Sequence, residues 1–286
     1  MAKPARSGWS NLTALRGAAL LAPCLIFLLI FFVYPLLDVA MASFPAGGFS
    51  AYKAVFGSTA YITVMVRTIV ASALVTVICL LLAFPYAWAM TRARRGVVVV
   101  LAMALFLPFW VSILLRTFSW QVILQDTGIV NQLIMAIGLS DRPFQLMRTS
   151  FSVVIGMVHV LLPFAVLPIY SVMRKLNLNL LDAALICGAG PIRTLCRILV
   201  PVTMPGIAAS AILTFTLSLG FYITPAILGG PRNTMIAQLI SSAVGAQRNL
   251  PLGAALAMVL LAATIIAFCL LAAFRRVGRH PSARGV

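Results

Sequence analysis

Acidic side chains are almost absent from this 286-residue chain. Asp and Glu together number four, all of them aspartate, against 21 Lys and Arg. Charged residues of both signs make up 9% of the chain, whereas an ordinary soluble domain has about 25%. So little polar surface excludes a soluble enzyme and a disordered protein. The scarcity of carboxylates also leaves almost no material for paired-carboxylate acid–base catalysis.

Motifs for nucleotide binding, metal binding and nucleophilic catalysis are missing as well. No glycine is followed by lysine, so the chain has no GxxxxGK[ST] loop to cradle phosphates. The five cysteines contain no CxxC pair, and the two histidines form no HExxH motif. We therefore predict no catalytic residue, no metal and no cofactor on this chain, and any ATP hydrolysis would belong to another chain.

What the sequence has in abundance is apolar surface. Hydrophobic residues are 63% of the chain and the mean hydropathy is +1.11. A membrane-spanning helix needs about 20 mostly apolar residues. Six such stretches predict an all-α polytopic membrane protein, at about 18–40, 64–90, 97–115, 151–173, 205–228 and 252–274. The first is longer than a signal-peptide core of roughly 7–15 residues, which favours an uncleaved helix.

The basic residues are unevenly shared between the segments that join these stretches. Segments 1–17, 91–96, 174–204 and 275–286 together hold 14 of the 21 Lys and Arg. A net charge of +17 would indicate a nucleic-acid partner in a soluble protein, but in a membrane protein it marks the cytoplasmic loops. We predict both termini in the cytoplasm, no nucleic-acid partner, and contact between the basic segments and lipid headgroups. The predicted domains are a 1–17 terminal segment, an 18–274 six-helix domain and a basic 275–286 tail.

The 174–204 segment is the most structured of these loops. Asn179, followed three residues later by Asp182, resembles a helix start. We predict a short helix from there to Cys187, a break at Gly188, and a second short helix from Pro191. Pro201 and Pro205 are expected to bound the second helix and to precede the fifth span. Two short helices joined at a bend of small residues would form a compact projection that can dock into a groove of another protein.

This loop resembles the cytoplasmic loop of permease subunits from ATP-binding-cassette (ABC) importers. That loop has the form E-A-A, three residues, G, nine residues, I-x-L-P. Here the sequence is Asp182-Ala183-Ala184, then Gly188, then Ile198-Leu199-Val200-Pro201. Asp replaces Glu at 182 and Val replaces Leu at 200. The resemblance implies ATPase coupling through Asp182, Ala183, Ala184, Gly188, Ile198 and Pro201.

Further segments resemble permeases of the spermidine/putrescine type. They are Arg116-Thr117-Phe118-Ser119-Trp120, Phe221-Tyr222-Ile223-Thr224-Pro225, Gly229-Gly230-Pro231 and Pro251-Leu252-Gly253-Ala254-Ala255. The resemblance implies the type I importer permease fold in a bacterial inner membrane. It also implies a second permease subunit, expected to be a different chain, an ABC ATPase dimer that binds ATP and Mg²⁺, and a periplasmic solute-binding protein.

Some polar and aromatic residues are candidates for the solute path. Phe221, Tyr222 and Thr224 lie beside Pro225, which interrupts a span, and interrupted spans often line a path. Two further candidates, Arg116 and Trp120, lie one helical turn apart and fit either a membrane anchor or the rim of the path. By contrast, we interpret His159 as a hydrogen-bonded packing residue. The stripe Thr68, Ser72 and Thr76 is interpreted as helix-packing contacts.

Together these features favour the permease subunit of an ABC importer for a small polar organic solute such as a polyamine. Two other permease solutes, an amino-acid-like compound or an opine, stay open because the spans contain no central carboxylate to bind a polycation. A secondary transporter driven by an ion gradient is the alternative mechanism, although such proteins usually carry intramembrane acids. A membrane-embedded enzyme would need a reactive constellation that the sequence does not contain.

Overall fold

A computed structural model describes residues 21–177 and 179–277, and every regular element within them is helical. The long apolar helices are α1 (Leu21–Ala42), α3 (Thr59–Arg92), α7 (Ser150–Met173), α9 (Pro191–Leu219) and α12 (Leu250–Val277). The shorter helices are α2 (Ser50–Gly57), α4 (Arg95–Phe106), α5 (Ile113–Leu124), α6 (Ile129–Ala136), α8 (Asn179–Ile186), α10 (Ile223–Leu228) and α11 (Ile236–Gly245).

Five of these helices are long and apolar enough to cross a membrane, and the number is six if a bent pair of helices counts as one span. That pair consists of Arg95–Trp110 and Ile113–Ala136, which meet at 100°. The predicted all-α polytopic fold is therefore confirmed. The predicted fourth span, 151–173, agrees with α7 to within one residue.

The core lies where α3, α7 and α9 pack together. On α3 it is a stripe of fully buried residues one turn apart, Val75, Cys79, Ala83 and Ala87. Small side chains at this spacing let two helices approach closely, which drives helix association where no water is present. A hydroxyl adds a polar link, because Ser210 Oγ on α9 donates to the carbonyl of Ala165 on α7 at 2.8 Å.

The predicted packing role of the α3 hydroxyl stripe fits its burial. Thr68, Ser72 and Thr76 are all buried. Thr68 Oγ1 also accepts from the backbone N–H of Ile236 at 3.0 Å and so satisfies the first donor of α11.

The predicted fifth span, 205–228, is wrong at both ends. The helix starts at Pro191 and runs through Pro201 and Pro205 to Leu219, so the second short helix expected in the loop is the beginning of this span. A π turn at Leu195–Leu199 widens the backbone just before Pro201, whose missing N–H and bulky ring would otherwise disturb an α-helix. The same pairing occurs in α1, where a π turn at Leu29–Val33 precedes Pro35.

The predicted third span, 97–115, is also wrong, because it is not one helix. After Phe106 the chain tightens into a 3₁₀ turn at Leu107–Trp110, then becomes extended at Val111 before α5 begins. Pro108 lies in that 3₁₀ turn, where a residue without an N–H is tolerated. Three further helices, α2, α6 and α11, lie in loops for which we predicted no helix. The predicted segment 1–17, the first residues of the first span and residues 278–286 lie outside the described residues.

Candidate functional site

The sequence in 174–204 folds into a sharp turn at one end of the bundle. Helix α8 starts at Asn179 as predicted, although the side chain that accepts from the Asn179 N–H is Asn177 Oδ1, at 3.1 Å. After α8 the backbone N–H of Ala189 bonds to the carbonyl of Ala184 at 3.0 Å, and Gly188 between them has φ +82°. This is a glycine-terminated helix cap, in which the left-handed residue favours glycine. The turn therefore has one defined shape, set by local hydrogen bonds.

This loop presents apolar side chains outward. Ile186, at the end of α8, is 86% exposed, and Ile192, in the first turn of α9, is 76% exposed. Of the predicted coupling residues, Ala183, Gly188 and Pro201 are exposed, and Ala184 and Ile198 are half-buried. The side chain of Asp182 lies outside what the structure describes. An apolar surface at the tip of a rigid turn is suited to burial by another protein.

Helix α7 connects this end of the bundle to the opposite end. It runs for 24 residues, or about 36 Å, roughly the thickness of a bilayer. At its start, Ser152 Oγ and the backbone N–H of Arg148 both donate to the carbonyl of Leu228, at 2.9 and 3.0 Å. The segment after α10 is therefore held at the start of α7, whereas the chain leaves the other end of α7 toward the turn at Gly188.

Helix α10, which carries two of the predicted path residues, packs into the angle between α5 and α7. Thr224 of α10 and Thr117 of α5 are both buried, and their hydroxyl oxygens are 3.4 Å apart. On α7, Gly156 makes room for α10, because a Cβ there would lie 2.6 Å from Thr224 Cγ2 and 2.7 Å from Leu228 Cδ1. We call this meeting point of α5, α7 and α10 the three-helix junction.

The other candidate residues flank this junction. Phe221 lies in the break between α9 and α10 and packs partly buried against the central core, whereas Tyr222 is 45% exposed. Pro225 is buried within α10. The break itself follows Gly220, which ends α9. The candidates are thus close in space, but Tyr222 alone among this group projects substantially beyond the packed interior.

Trp120 is joined to α7 by a hydrogen bond. Its indole N–H donates to Nδ1 of His159 at 3.1 Å, and the two rings are in edge-to-face contact with centroids 5.8 Å apart. His159 is therefore hydrogen-bonded, as its predicted packing role requires, and its partner is one of the predicted path residues. No sequence signal could have indicated this pairing, because the two residues are 39 positions apart on different helices.

Arg116, one turn before Trp120, lacks a partner for one nitrogen. Its Nε is buried without a hydrogen bond among the described residues. The considered cation–π contact between Arg116 and Trp120 is not observed. A cation–π contact of this kind is formed elsewhere in the described part of the chain, where the guanidinium carbon of Arg92 lies 5.3 Å from the centre of the Trp88 ring.

Comparison with known proteins decides the family. A family model described as "Binding-protein-dependent transport system inner membrane component" matches residues 43–279. The chain belongs to this family. It is a multi-pass inner-membrane permease, not an enzyme, and the predicted membership is confirmed.

Relatives of this permease include proteins from enteric bacteria. It is 33% identical over 219 residues to the spermidine/putrescine transport system permease protein PotB of Escherichia coli, covering 77% of this chain and 78% of that one. It is 30% identical over 247 residues to the inner membrane ABC transporter permease protein YdcU of the same organism, covering 81% and 78%.

The fold is that of known ABC importer permeases of type I. A chain from the crystal structure of a bacterial alginate ABC transporter, in complex with its alginate-bound periplasmic protein, superposes with a TM-score of 0.74. The match covers 98% of this permease and 99% of that chain, at 19% sequence identity. At that identity the likeness shows the fold alone.

Proposed function

We propose that this permease forms half of the membrane path of an ATP-driven importer for polyamines such as spermidine and putrescine. The observation that carries the proposal is the 33% identity to PotB, a spermidine/putrescine permease, across more than three quarters of both chains. A second permease subunit completes the path, and a periplasmic binding protein delivers the solute.

The three-helix junction supports a path for a protonated amine. Aromatic faces and hydroxyl oxygens both attract ammonium groups without adding a fixed charge. The ring of Trp120 lies at the junction, and the exposed Tyr222 beside it supplies a second ring and a phenolic hydroxyl. A path lined in this way binds a polycation weakly, which leaves selection to the binding protein and permits release to the cytoplasm.

ATP hydrolysis belongs to a separate ATPase dimer, which binds the ATP and Mg²⁺. The turn at Gly188 and the exposed Ile186 and Ile192 support docking of that ATPase here, because apolar side chains in a water-facing loop gain by burial. Closure of the ATPase dimer would then move the turn. Since Pro191 begins a helix that continues into the membrane as α9, the motion would pass directly to a span.

In the proposed orientation of the permease in the membrane, the turn at Gly188 and both termini lie in the cytoplasm. The 14 basic residues on the predicted cytoplasmic side support this orientation.

A zwitterionic solute is the second candidate, and Arg116 is the observation that favours it. A guanidinium with a buried, unpartnered Nε would gain from a carboxylate, and the solute could bring one. The second permease subunit could supply that carboxylate instead, in which case Arg116 carries no information about the solute.

The test is solute-stimulated ATP hydrolysis by the complete transporter in lipid nanodiscs. We expect putrescine or spermidine, with the cognate binding protein, to raise the hydrolysis rate severalfold over the solute-free binding protein. An amino acid or opine serves as the comparison. Stimulation by the zwitterion with no response to either polyamine would transfer the assignment to the second candidate.

A further inference from the structure

The hydrogen bond between Trp120 and His159 has a consequence for how the path recognises its solute. We propose that His159 is a positioning residue, which holds the indole of Trp120 by its N–H so that the face of the ring is left for a protonated amine. This inference deepens the proposed function and rests on it.

The N–H of the Trp120 indole is fully used by its bond to His159. The indole has a single polar hydrogen and no acceptor, so its bond to His159 at 3.1 Å uses its whole hydrogen-bonding capacity. Because Nδ1 of His159 accepts, the neutral imidazole carries its proton on Nε2. What remains of Trp120 for a solute is its π surface, which attracts cations and offers nothing to a carboxylate.

Of the two helices that this bond joins, α7 is the better anchored in the bundle. His159 lies on α7, among the buried neighbours Val158 and Val160, at the centre of the bundle. Trp120 lies on α5, which follows the extended break at Val111 and so is not aligned by the helix before it. Helix α7 is therefore the frame, and the bond from Trp120 fixes α5 against it.

The Trp120–His159 bond is tighter than the side-chain contact that α5 makes with α10. The Thr117–Thr224 contact spans 3.4 Å, and Thr117 Oγ1 is already bonded to the carbonyl of Ile113 at 2.7 Å. The Trp120–His159 bond is shorter than the threonine contact, and the edge-to-face ring contact reinforces it. Of these two links, it has more control over the angle of the indole.

The experiment is a double-mutant cycle read as putrescine uptake into proteoliposomes at saturating loaded binding protein. His159→Leu removes the acceptor, and we expect uptake to slow roughly three- to tenfold, the loss of one buried hydrogen bond. His159→Asn places an oxygen near the position of Nδ1 and should restore uptake to within about twofold of wild type. In a Trp120→Phe background, which lacks the N–H, His159→Leu should have no further effect.

Tyr86→Phe is the matched control, because it also removes one interhelical hydrogen bond from an aromatic side chain, that of Tyr86 Oη to the carbonyl of Leu101 at 2.7 Å. It should not change uptake. An equal loss from His159→Leu in both backgrounds, or no rescue by asparagine, overturns the positioning role.

The outcome separates this inference from the proposed function. Uptake of putrescine by wild type together with unchanged uptake by His159→Leu overturns the inference alone. If wild type takes up a zwitterion and no polyamine, the proposed function fails and the cation-facing role of Trp120 fails with it.

Discussion

The turn at Gly188 and the three-helix junction differ in how they are encoded. The turn is built within 20 consecutive positions, 182–201, and its shape comes from a backbone hydrogen bond between neighbours, Ala189 to Ala184. The junction joins residues that are far apart in sequence, such as Thr117 with Thr224. Its shape depends on side chains from three helices fitting together. A change in the turn should therefore act through backbone conformation, and a change in the junction through steric fit.

The largest effect is expected from labelling the two ends of the bundle, since the outcome is all or none. In a cysteine-free background, Arg232→Cys lies after α10 and should react with an impermeant maleimide added outside. Ile192→Cys, 76% exposed near the turn, should react only after the membrane is permeabilised. Outside labelling of Ile192→Cys would reverse the orientation and put the ATPase surface on the wrong side.

The next effect concerns the turn. Gly188→Val forces a β-branched residue to φ +82°, a conformation that costs more than about 1 kcal/mol, and we expect solute-stimulated ATP hydrolysis to fall at least tenfold. Space is not the cause, because a Cβ at Gly188 meets no atom within 4 Å.

The matched control is Gly190→Ala, where φ is −65° and the Cβ also has open space, so hydrolysis should stay near wild type. Gly188→Asn, which tolerates the left-handed region, should retain most of the activity. Equal losses at Gly188 and Gly190 would show that the backbone conformation is not the cause.

At the junction, Gly156→Ala should reduce uptake several-fold through overpacking, with a stability cost of about 1–3 kcal/mol. The added Cβ would lie 2.6 Å from Thr224 Cγ2. Thr224→Ser removes that methyl group and keeps the hydroxyl, so the double variant should recover part of the uptake. Gly245→Ala, which has open space, is the control. A failure of Thr224→Ser to rescue would leave Leu228, 2.7 Å away, as the limiting contact.

The smallest effect is expected for Thr224→Val. It removes one oxygen from a 3.4 Å contact, which is long for a bond between hydroxyls, so uptake should fall less than about threefold. Thr264→Val, which removes a hydroxyl bonded only to its own helix at Leu260, is the control for inserting valine in a span. A loss larger than that of Gly156→Ala would indicate that the Thr224 hydroxyl contacts the solute directly.

Sequence patterns predicted the elements that depend on local chemistry. The fourth span was predicted to within one residue, because its apolar run is bounded by polar residues at both ends and Thr149 caps its start. The break at Gly188 was predicted for the same kind of reason. The prediction for α9 was wrong because Pro201 and Pro205 were expected to end a helix that continues past them after a π turn.

Contacts between residues that are far apart in the sequence could not be predicted from local patterns. Arg116, Trp120, Tyr222 and Thr224 were selected as candidates for the path, and that role stays a prediction. Nothing in the spacing of Trp120 and His159, 39 positions apart, indicates that they are bonded. The sequence also gives no sign that Gly156 packs against α10, because glycine is common in apolar spans.

The sequence by itself determined that this chain is a membrane protein, the approximate number of its crossings, and the turn at Gly188. The first two follow from the free energy of transferring apolar residues into a membrane, and the third follows from backbone conformation over a few neighbouring residues. None of the three depends on the rest of the fold. Tertiary structure alone decided the packing of α10 between α5 and α7 and the contacts of Gly156 and His159. These depend on the positions of other helices, because packing and interhelical hydrogen bonds exist only once the partners have met.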